Sequence, residues 1–254
     1  MARDNNIAEK PLNTASIEKK TPFIATVETS GRLGSVAVAE GSVLLGKAFF
    51  SAPAKHSAEV FPALAQLLKA QNKAPKDIEQ IYISIGPGSF TGLRIAATIA
   101  KMMSLANDTK IVAVDTLDIL AENIYEYIEQ TAHTPQSIAA ILDAKRDEFF
   151  IAVYNFENGR YIKSTADSVL TAEEFVERFA NPQNPIAIFG EGLVYYKEKF
   201  RSSGIDVLDE KYWNPLPQNL HLIGWKKAQA CQFAEPMTLV PAYLKHLDTK
   251  IKSI

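Results

Sequence analysis

The sequence predicts an α/β protein built from two duplicated units, each with a mixed β-sheet. First, the order of three strands, a helix, a strand, a glycine turn and a helix occurs twice along the 254 residues. Second, the first strand of each unit ends in an acidic residue, Glu28 or Asp143. Third, a glycine turn follows the fourth strand of each unit, at Gly86–Gly92 and at Gly190–Gly192. The two units share this order of elements and not their residues.

In the first unit, short apolar segments between turn residues predict strands, and apolar residues at helical spacing predict helices. Glu40–Gly41 is suited to a tight hairpin turn. The predicted strands are Phe23–Glu28, Ser35–Ala39, Val43–Phe50, Ile81–Ile85 and Ile111–Val114. The predicted helices are Ser57–Ala70, Leu93–Ala106 and Thr116–Gln130.

The second unit follows the same pattern with weaker signals. Thr171 and Glu174 have the spacing of a capping box at the start of a helix. The predicted strands are Ile138–Asp143, Glu148–Tyr154, Tyr161–Ser164 and Ile186–Phe189. The predicted helices are Thr171–Phe179, a helix that begins near Leu193, and Asn219–Phe233.

The composition is that of an ordinary globular protein, with 47% hydrophobic and 22% charged residues. The formal net charge of -2 argues against a chain that binds nucleic acid chiefly through its own charge. The single cysteine, Cys231, excludes an internal disulfide and a zinc site built from cysteines. No segment reaches the roughly 20 apolar residues of a membrane span, and the first residues lack the apolar run of a secretory signal. We therefore expect a cytoplasmic protein that does not bind a membrane.

The glycine loop, Gly86–Gly92, is a candidate ligand-binding loop. Flexible glycines and the free amides of the following helix could meet an anion there, and either Ser89 or Thr91 could cap that helix. The alternative is a tight turn needed only for close packing of strand against helix. The loop lacks the lysine of a P-loop and the spacing of a dinucleotide-binding motif. The candidate ligand residues are Gly86, Gly88, Ser89, Thr91, Gly92, Asp143 and Arg146.

The titratable residues predict neither a catalytic residue nor a metal site. Glu28 and Asp143 are expected at the carboxyl ends of strands, where two acids can organise a magnesium ion, although each could instead cap the turn that follows it. No two of the four histidines stand four residues apart, as in a helical metal site. Gly86–Phe90 lacks the final glycine of a nucleophile elbow. No catalytic residue, metal or cofactor is therefore assigned.

The helix predicted over Leu93–Ala106 is too apolar for a helix on a protein surface. Its polar residues fall on one narrow stripe, at Arg94, Thr98, Lys101 and Ser104. Either this helix is buried inside its own domain, or one of its sides is covered by a partner subunit.

Several motifs resemble those of the TsaB (YeaZ) family. Residues 85–95, IGPGSFTGLRI, closely resemble the family signature. The likeness runs in order from Phe23 to Lys245, through Glu28–Ser30, His56–Glu59, Leu142–Arg146 and Pro241–Lys245. Glu28 stands where the family has an aspartate, and the extension before Phe23 is absent from typical members.

The resemblance implies two duplicated actin-like (ASKHA, ribonuclease H-like) subdomains with mixed sheets. It implies a scaffold subunit, not itself an enzyme, that binds and activates the catalytic TsaD subunit. The complex transfers a threonylcarbamoyl group to adenosine 37 of tRNAs that read ANN codons, giving threonylcarbamoyladenosine (t6A). The P-loop ATPase TsaE is a further partner, tRNA is contacted only indirectly, and a homodimer is expected when the chain is alone. The alternatives are an autonomous ATP-dependent phosphotransferase of the same fold and a metalloprotease.

The resemblance also implies domain boundaries and a partner interface. Residues 1–22 are expected to be a disordered extension, 23–115 with 219–254 the first domain, and 116–218 the second. The family pairs through the helix after the glycine loop and the helix that begins at the histidine. The corresponding interface residues are His56, Val60, Leu64, Leu93, Arg94, Ala96, Ala97, Ala100 and Lys101.

Overall fold

The protein, described by a computed structural model over residues 21–53 and 55–243, contains two five-stranded sheets. The first sheet is formed by β1 (Phe23–Glu28), β2 (Ser35–Glu40), β3 (Val43–Phe49), β4 (Gln80–Gly86) and β5 (Lys110–Asp115). The second is formed by β6 (Ser137–Lys145), β7 (Glu148–Glu157), β8 (Arg160–Thr171), β9 (Ile186–Phe189) and β10 (Ile205–Val207). The α-helices of this part of the chain are α1 (His56–Ala70), α2 (Phe90–Asn107), α3 (Thr116–Ala121), α4 (Asn123–Thr131), α5 (Ala172–Phe179) and α6 (Pro217–Gln229).

The two sheets have the same topology. The first has the strand order β3-β2-β1-β4-β5, and the second has the order β8-β7-β6-β9-β10. In both, the first three strands in sequence form an antiparallel meander. The other two strands add in parallel on the far side of the first strand. The predicted α/β fold of two duplicated units is therefore confirmed.

The first sheet is covered on both faces, which explains the nearly continuous burial of its central strands. On one face, Val60 of α1 and Ala96 and Ala100 of α2 pack against strand residues such as Ile83. The apolar residues of α2 are therefore largely packed within the core of this chain. On the other face, Leu220 and Ala228 of α6 join a cluster with Ile24 and Tyr82.

Helix α3 connects the two halves of the molecule. Leu117 and Leu120 are buried in the core of the second sheet. Ile119, on the same short helix, is buried in the cluster of the first sheet and α6. One helical segment therefore contributes to the cores on both sides.

The helix predicted over Thr116–Gln130 is in fact two helices, α3 and α4, that meet at Glu122. The Asn123 side chain donates hydrogen bonds of 2.8 Å each to the carbonyl oxygens of Tyr212 and Asn214. This tertiary anchor fixes the new direction of the chain, and the local sequence does not reveal it.

The prediction of a helix near Leu193 is wrong. Residues 191–193 and 197–200 form short 3-10 turns, and the preceding Gly190 has a φ of 134°. The strand predicted at Tyr161–Ser164 is longer, because β7 offers it a partner over Arg160–Thr171. The three-residue strand β10 was not predicted, since so short an apolar segment resembles a loop.

The ends of the helices follow local chemistry. The Ser89 hydroxyl accepts a hydrogen bond from the Gly92 amide at 3.3 Å, so α2 begins at Phe90 and Thr91 does not cap it. Thr171 and Glu174 form the predicted capping box of α5. The last helix ends at Gln229 rather than Phe233, and Cys231 adopts a positive φ of 56° just after it. Residues 1–20 of the expected extension, and Leu244 and Lys245 of the C-terminal motif, lie outside the described residues.

Candidate functional site

A cleft of about 970 Å³ lies between the two halves of the molecule. Its walls come from the β1–β2 turn, the glycine loop, the β6–β7 hairpin, the first 3-10 turns of the second half and the C-terminal segment. The structure brings five predicted ligand residues to this cleft, namely Gly88, Ser89, Thr91, Asp143 and Arg146. The other two, Gly86 and Gly92, are the ends of the loop; they are buried and do not line the cleft.

The glycines of the loop allow two backbone segments to touch. A Cβ atom on Gly88 would lie 2.5 Å from the Ser30 carbonyl oxygen, and one on Gly92 would collide with the Thr29 carbonyl oxygen. The Ser89 amide donates to the Ser30 carbonyl oxygen at 2.7 Å, and the Thr29 hydroxyl donates to the Gly92 carbonyl oxygen at 2.7 Å. The loop is therefore attached to the β1–β2 turn, and its Ser89 amide is already used.

The C-terminal segment folds back across the glycine loop. The Ala242 amide donates to the Ile85 carbonyl oxygen at 2.8 Å. The Arg94 guanidinium donates through Nε to the Tyr243 hydroxyl at 3.2 Å, and its Cζ lies 3.7 Å from the centroid of the Phe90 ring. These contacts place two aromatic rings and one cation at the mouth of the cleft.

Glu28, the last residue of β1, accepts hydrogen bonds from the β1–β2 turn. Its side chain is fully buried, and Oε1 accepts hydrogen bonds from the Ser30 amide at 2.7 Å and the Ser30 hydroxyl at 2.5 Å. Burial raises the pKa of this carboxyl, and the hydrogen bonds from Ser30 oppose the shift. Glu28 does not line the cleft, so it is unsuited to holding a magnesium ion there.

Glu191 holds the same turn from the other half of the molecule. Both of its carboxylate oxygens accept from the Arg32 amide, at 2.6 and 2.9 Å. The Arg32 guanidinium in turn donates to the Tyr195 hydroxyl at 3.1 Å and lies over the Tyr195 ring, 5.0 Å from its centroid. Neither Glu191 nor Arg32 nor Tyr195 was predicted from the sequence to lie at this site. The one signal that pointed to them was an acid inside the second glycine turn.

His56, the first residue of α1, packs beneath this turn. Its Nε2 lies 3.1 Å from the Gly31 carbonyl oxygen, and burial lowers its pKa. Its Nδ1 has no hydrogen-bond partner within the described ranges. His221, in contrast, bonds the Gly41 carbonyl oxygen on the far side of the sheet. Neither histidine is placed beside another to form a metal site, and the described residues contain no group of three metal-binding side chains.

Asp143 supports the β6–β7 hairpin from within the cleft wall. Its Oδ1 accepts from the Lys145 amide at 2.7 Å, and its Oδ2 pairs with the Lys145 ammonium. Lys145, Arg146 and Asp147 all adopt positive φ angles, between 59° and 64°. Asp143 therefore caps the turn that follows it, which is the alternative interpretation of this acid.

Most of the residues predicted to bind a partner point into the chain's own core. Arg94 is exposed and Lys101 is half-buried; the other seven are buried, namely His56, Val60, Leu64, Leu93, Ala96, Ala97 and Ala100. The interface itself stays a prediction. Direct contact there would instead involve the residues exposed on α1 and α2, such as Phe61, Met102 and Leu105.

The paired sheets of identical topology around a central cleft define an actin-like protein of two α/β subdomains. The structure of YeaZ from Pseudomonas aeruginosa has the same fold, with a TM-score of 0.71 at 23% identity over 88% of this chain and all of that one. In the described residues, no helix has both the length and the apolar character to cross a membrane.

Comparisons of sequence narrow this class to a family. A family model described as "TsaD: tRNA N6-adenosine threonylcarbamoyltransferase" matches residues 51–234. The tRNA threonylcarbamoyladenosine biosynthesis protein TsaB of Bacillus subtilis is 27% identical over 91% of this chain and 97% of its own. TsaB of Escherichia coli is 27% identical over 88% of this chain and 94% of its own. The chain belongs to the family that this model describes and, within it, to the TsaB (YeaZ) group.

Proposed function

We propose that this chain is the scaffold subunit of a threonylcarbamoyl transfer complex. It binds and activates the catalytic TsaD subunit, which modifies adenosine 37 of tRNAs that read ANN codons. TsaE is the third partner, and tRNA is contacted only indirectly. Support comes from the matching transferase family model and from relatives named as tRNA threonylcarbamoyladenosine biosynthesis proteins.

The observation that carries the proposal is a set of exposed apolar side chains on two helices that contact each other, here called the α1–α2 face and defined by Phe61, Met102 and Leu105. These side chains are 60%, 64% and 73% exposed. Large apolar side chains exposed on neighbouring helices are typical of a protein–protein interface. The same face would join two copies of the chain when the catalytic subunit is absent.

The experiment is a reconstituted tRNA modification reaction. It contains the catalytic subunit, threonylcarbamoyl-adenylate and tRNA, with and without this chain. We expect modification to require the chain and the chain alone to modify nothing. Modification by the chain alone would contradict the proposal. Magnesium-dependent ATP hydrolysis by the isolated chain, lost in Asp143→Ala, would instead favour a phosphotransferase.

Matched variants test the α1–α2 face. Met102→Glu places a charge on this face and should weaken binding to the catalytic subunit at least about tenfold, or about 1.4 kcal/mol. Met237→Glu is the control, because it makes the same substitution at a methionine that is 75% exposed and lies in the segment after α6. Equal binding by both variants in a calorimetric titration would remove this face from the interface.

A further inference from the structure

The C-terminal segment is fixed to the first residues of the glycine loop. The Ala242 amide donates to the Ile85 carbonyl oxygen at 2.8 Å. Gly86 has a φ of 123°, and a Cβ atom there would lie 2.7 Å from the Ala242 carbonyl oxygen. Glycine is therefore needed at this position both for the backbone conformation and for the close approach of the C-terminal segment. The next residue, Tyr243, is thereby brought to the first turns of α2.

Tyr243 and Phe90 fix the position of the Arg94 guanidinium. Arg94 donates through Nε to the Tyr243 hydroxyl at 3.2 Å, and its Cζ lies 3.7 Å from the centroid of the Phe90 ring. The two rings also contact each other, with their centroids 5.4 Å apart. A long side chain that binds a partner normally loses rotamer freedom at that moment. For Arg94 much of this loss has already occurred on folding, so its guanidinium is preorganised.

Arg94 keeps most of its hydrogen-bonding capacity. A guanidinium carries several N–H donors in one plane, and Tyr243 uses the Nε donor. The side chain is exposed, and no carboxylate among the described residues forms an ion pair with it. Asp143, which lines the same cleft, pairs with Lys145 instead. A planar cation of this kind is suited to binding a carboxylate through two parallel hydrogen bonds.

Arg94 lies on the same side of α2 as the apolar residues of the α1–α2 face. Arg94 and Leu105 are about three helical turns apart, so their side chains point in the same direction. Thr98 and Met102 follow Arg94 at four-residue spacing, and both are exposed. The α1–α2 face therefore continues along α2 to Arg94 and Tyr243. Tyrosine and arginine are enriched in protein–protein interfaces.

We propose that the Arg94 guanidinium binds a carboxylate on the catalytic subunit, which presupposes the function proposed above. Tyr243 is a positioning residue, because it holds the guanidinium through Nε and leaves the other donors free. The apolar residues of the α1–α2 face supply buried area, whereas the ion pair fixes how the two subunits are oriented. The C-terminal segment is thus part of the binding surface.

Calorimetric titration of the catalytic subunit with the full chain and its variants tests the role of Arg94. Arg94→Ala should bind at least about tenfold more weakly, since arginine is typical of the residues that dominate binding energy. The loss should shrink with added salt, because salt screens an ion pair. Arg178→Ala is the control: Arg178 is exposed on α5, and its Cζ lies 5.1 Å from the centroid of the Phe179 ring.

Equal affinity of the full chain and a folded Arg94→Ala would overturn this role of Arg94 and leave the proposed function in place. Equal weakening by Arg178→Ala would also overturn it, since the effect would then follow from net charge alone. Absence of binding by the full chain would remove the proposed function together with this role.

Tyr243→Phe tests the positioning role, because it removes the hydroxyl and keeps the ring. Binding should weaken about threefold in the full chain, as expected for one hydrogen bond, and should not weaken further when Arg94→Ala is also present. Tyr195→Phe is the control, since the Tyr195 hydroxyl also accepts from an arginine, Arg32. The same loss with and without Arg94 would show that Tyr243 does not act through Arg94.

Discussion

At the scale of single residues, the glycine loop is defined by what its glycines approach. Gly88 and Gly92 lie against the backbone carbonyls of Ser30 and Thr29, where no side chain fits. The motif that most resembled a ligand loop is therefore also a packing device between two loops. Its half-buried Ser89 and its exposed Thr91 still line the cleft. Both interpretations of the sequence thus apply, to different residues of one segment.

The substitution Gly92→Ala tests this packing role. The new methyl group would collide with the Thr29 carbonyl oxygen, so we expect a loss of about 3 kcal/mol in the free energy of unfolding. Gly159→Ala is the control, since Gly159 has open space around it and a φ of 81° that costs an alanine only about 1 kcal/mol. Urea unfolding measures both. Similar losses in the two variants would show that Gly92 is not a packing residue.

The acids illustrate what a sequence reveals about a site. Glu28 and Asp143 were predicted at equivalent strand ends, and their cap roles followed from local chemistry. The contact of Glu191 with Arg32 joins residues 159 positions apart, in different subdomains. No local pattern encodes such a pair, because it depends on how the two subdomains meet.

At the scale of elements, the positions of the central strands along the chain were predictable, because each of these strands is buried on both faces and is therefore largely apolar. The predictions failed where tertiary contacts decide the outcome. The break between α3 and α4 depends on Asn123 reaching distant carbonyls, and β8 extends because β7 pairs with it. After Gly190 the chain leaves β9 through 3-10 turns. The spacing of apolar residues in the sequence does not distinguish such turns from an α-helix.

Helix α2 gives a prediction at this scale. Ala100 is fully buried against the chain's own sheet, so Ala100→Glu should destabilise the fold by several kcal/mol, on the order of 3 to 5. Thr98→Glu, on the exposed side of the same helix, should change stability by no more than about 0.5 kcal/mol. Thermal and urea unfolding compare them. A stable Ala100→Glu would mean that α2 packs differently.

At the scale of the whole molecule, α3 contributes side chains to the cores of both subdomains. Its Leu117 and Leu120 belong to one core and its Ile119 to another. Movement of either subdomain therefore disturbs the packing of the same six-residue helix. The contact of Glu191 with the β1–β2 turn adds a second connection across the cleft.

This arrangement predicts a single unfolding transition for both subdomains. Ile119→Ala leaves a cavity at the junction and should cost about 2 to 5 kcal/mol. Hydrogen exchange should then rise in β1 and β4 of the first sheet and also in β6 of the second, which α3 contacts. Faster exchange confined to the first sheet would show instead that the subdomains unfold independently.

The position of α6 has a consequence for how the protein is made. This helix covers the first sheet, where Leu220 and Ala228 join Ile24 and Tyr82, although the second subdomain separates them in the sequence. During synthesis on the ribosome, β1 and β4 emerge long before α6. Until α6 has been made, the apolar face of the first sheet that α6 covers remains exposed to solvent. The second subdomain is contiguous in sequence and is complete first. The first sheet, although it is translated before the second, can therefore be covered on both faces only after α6 has been made.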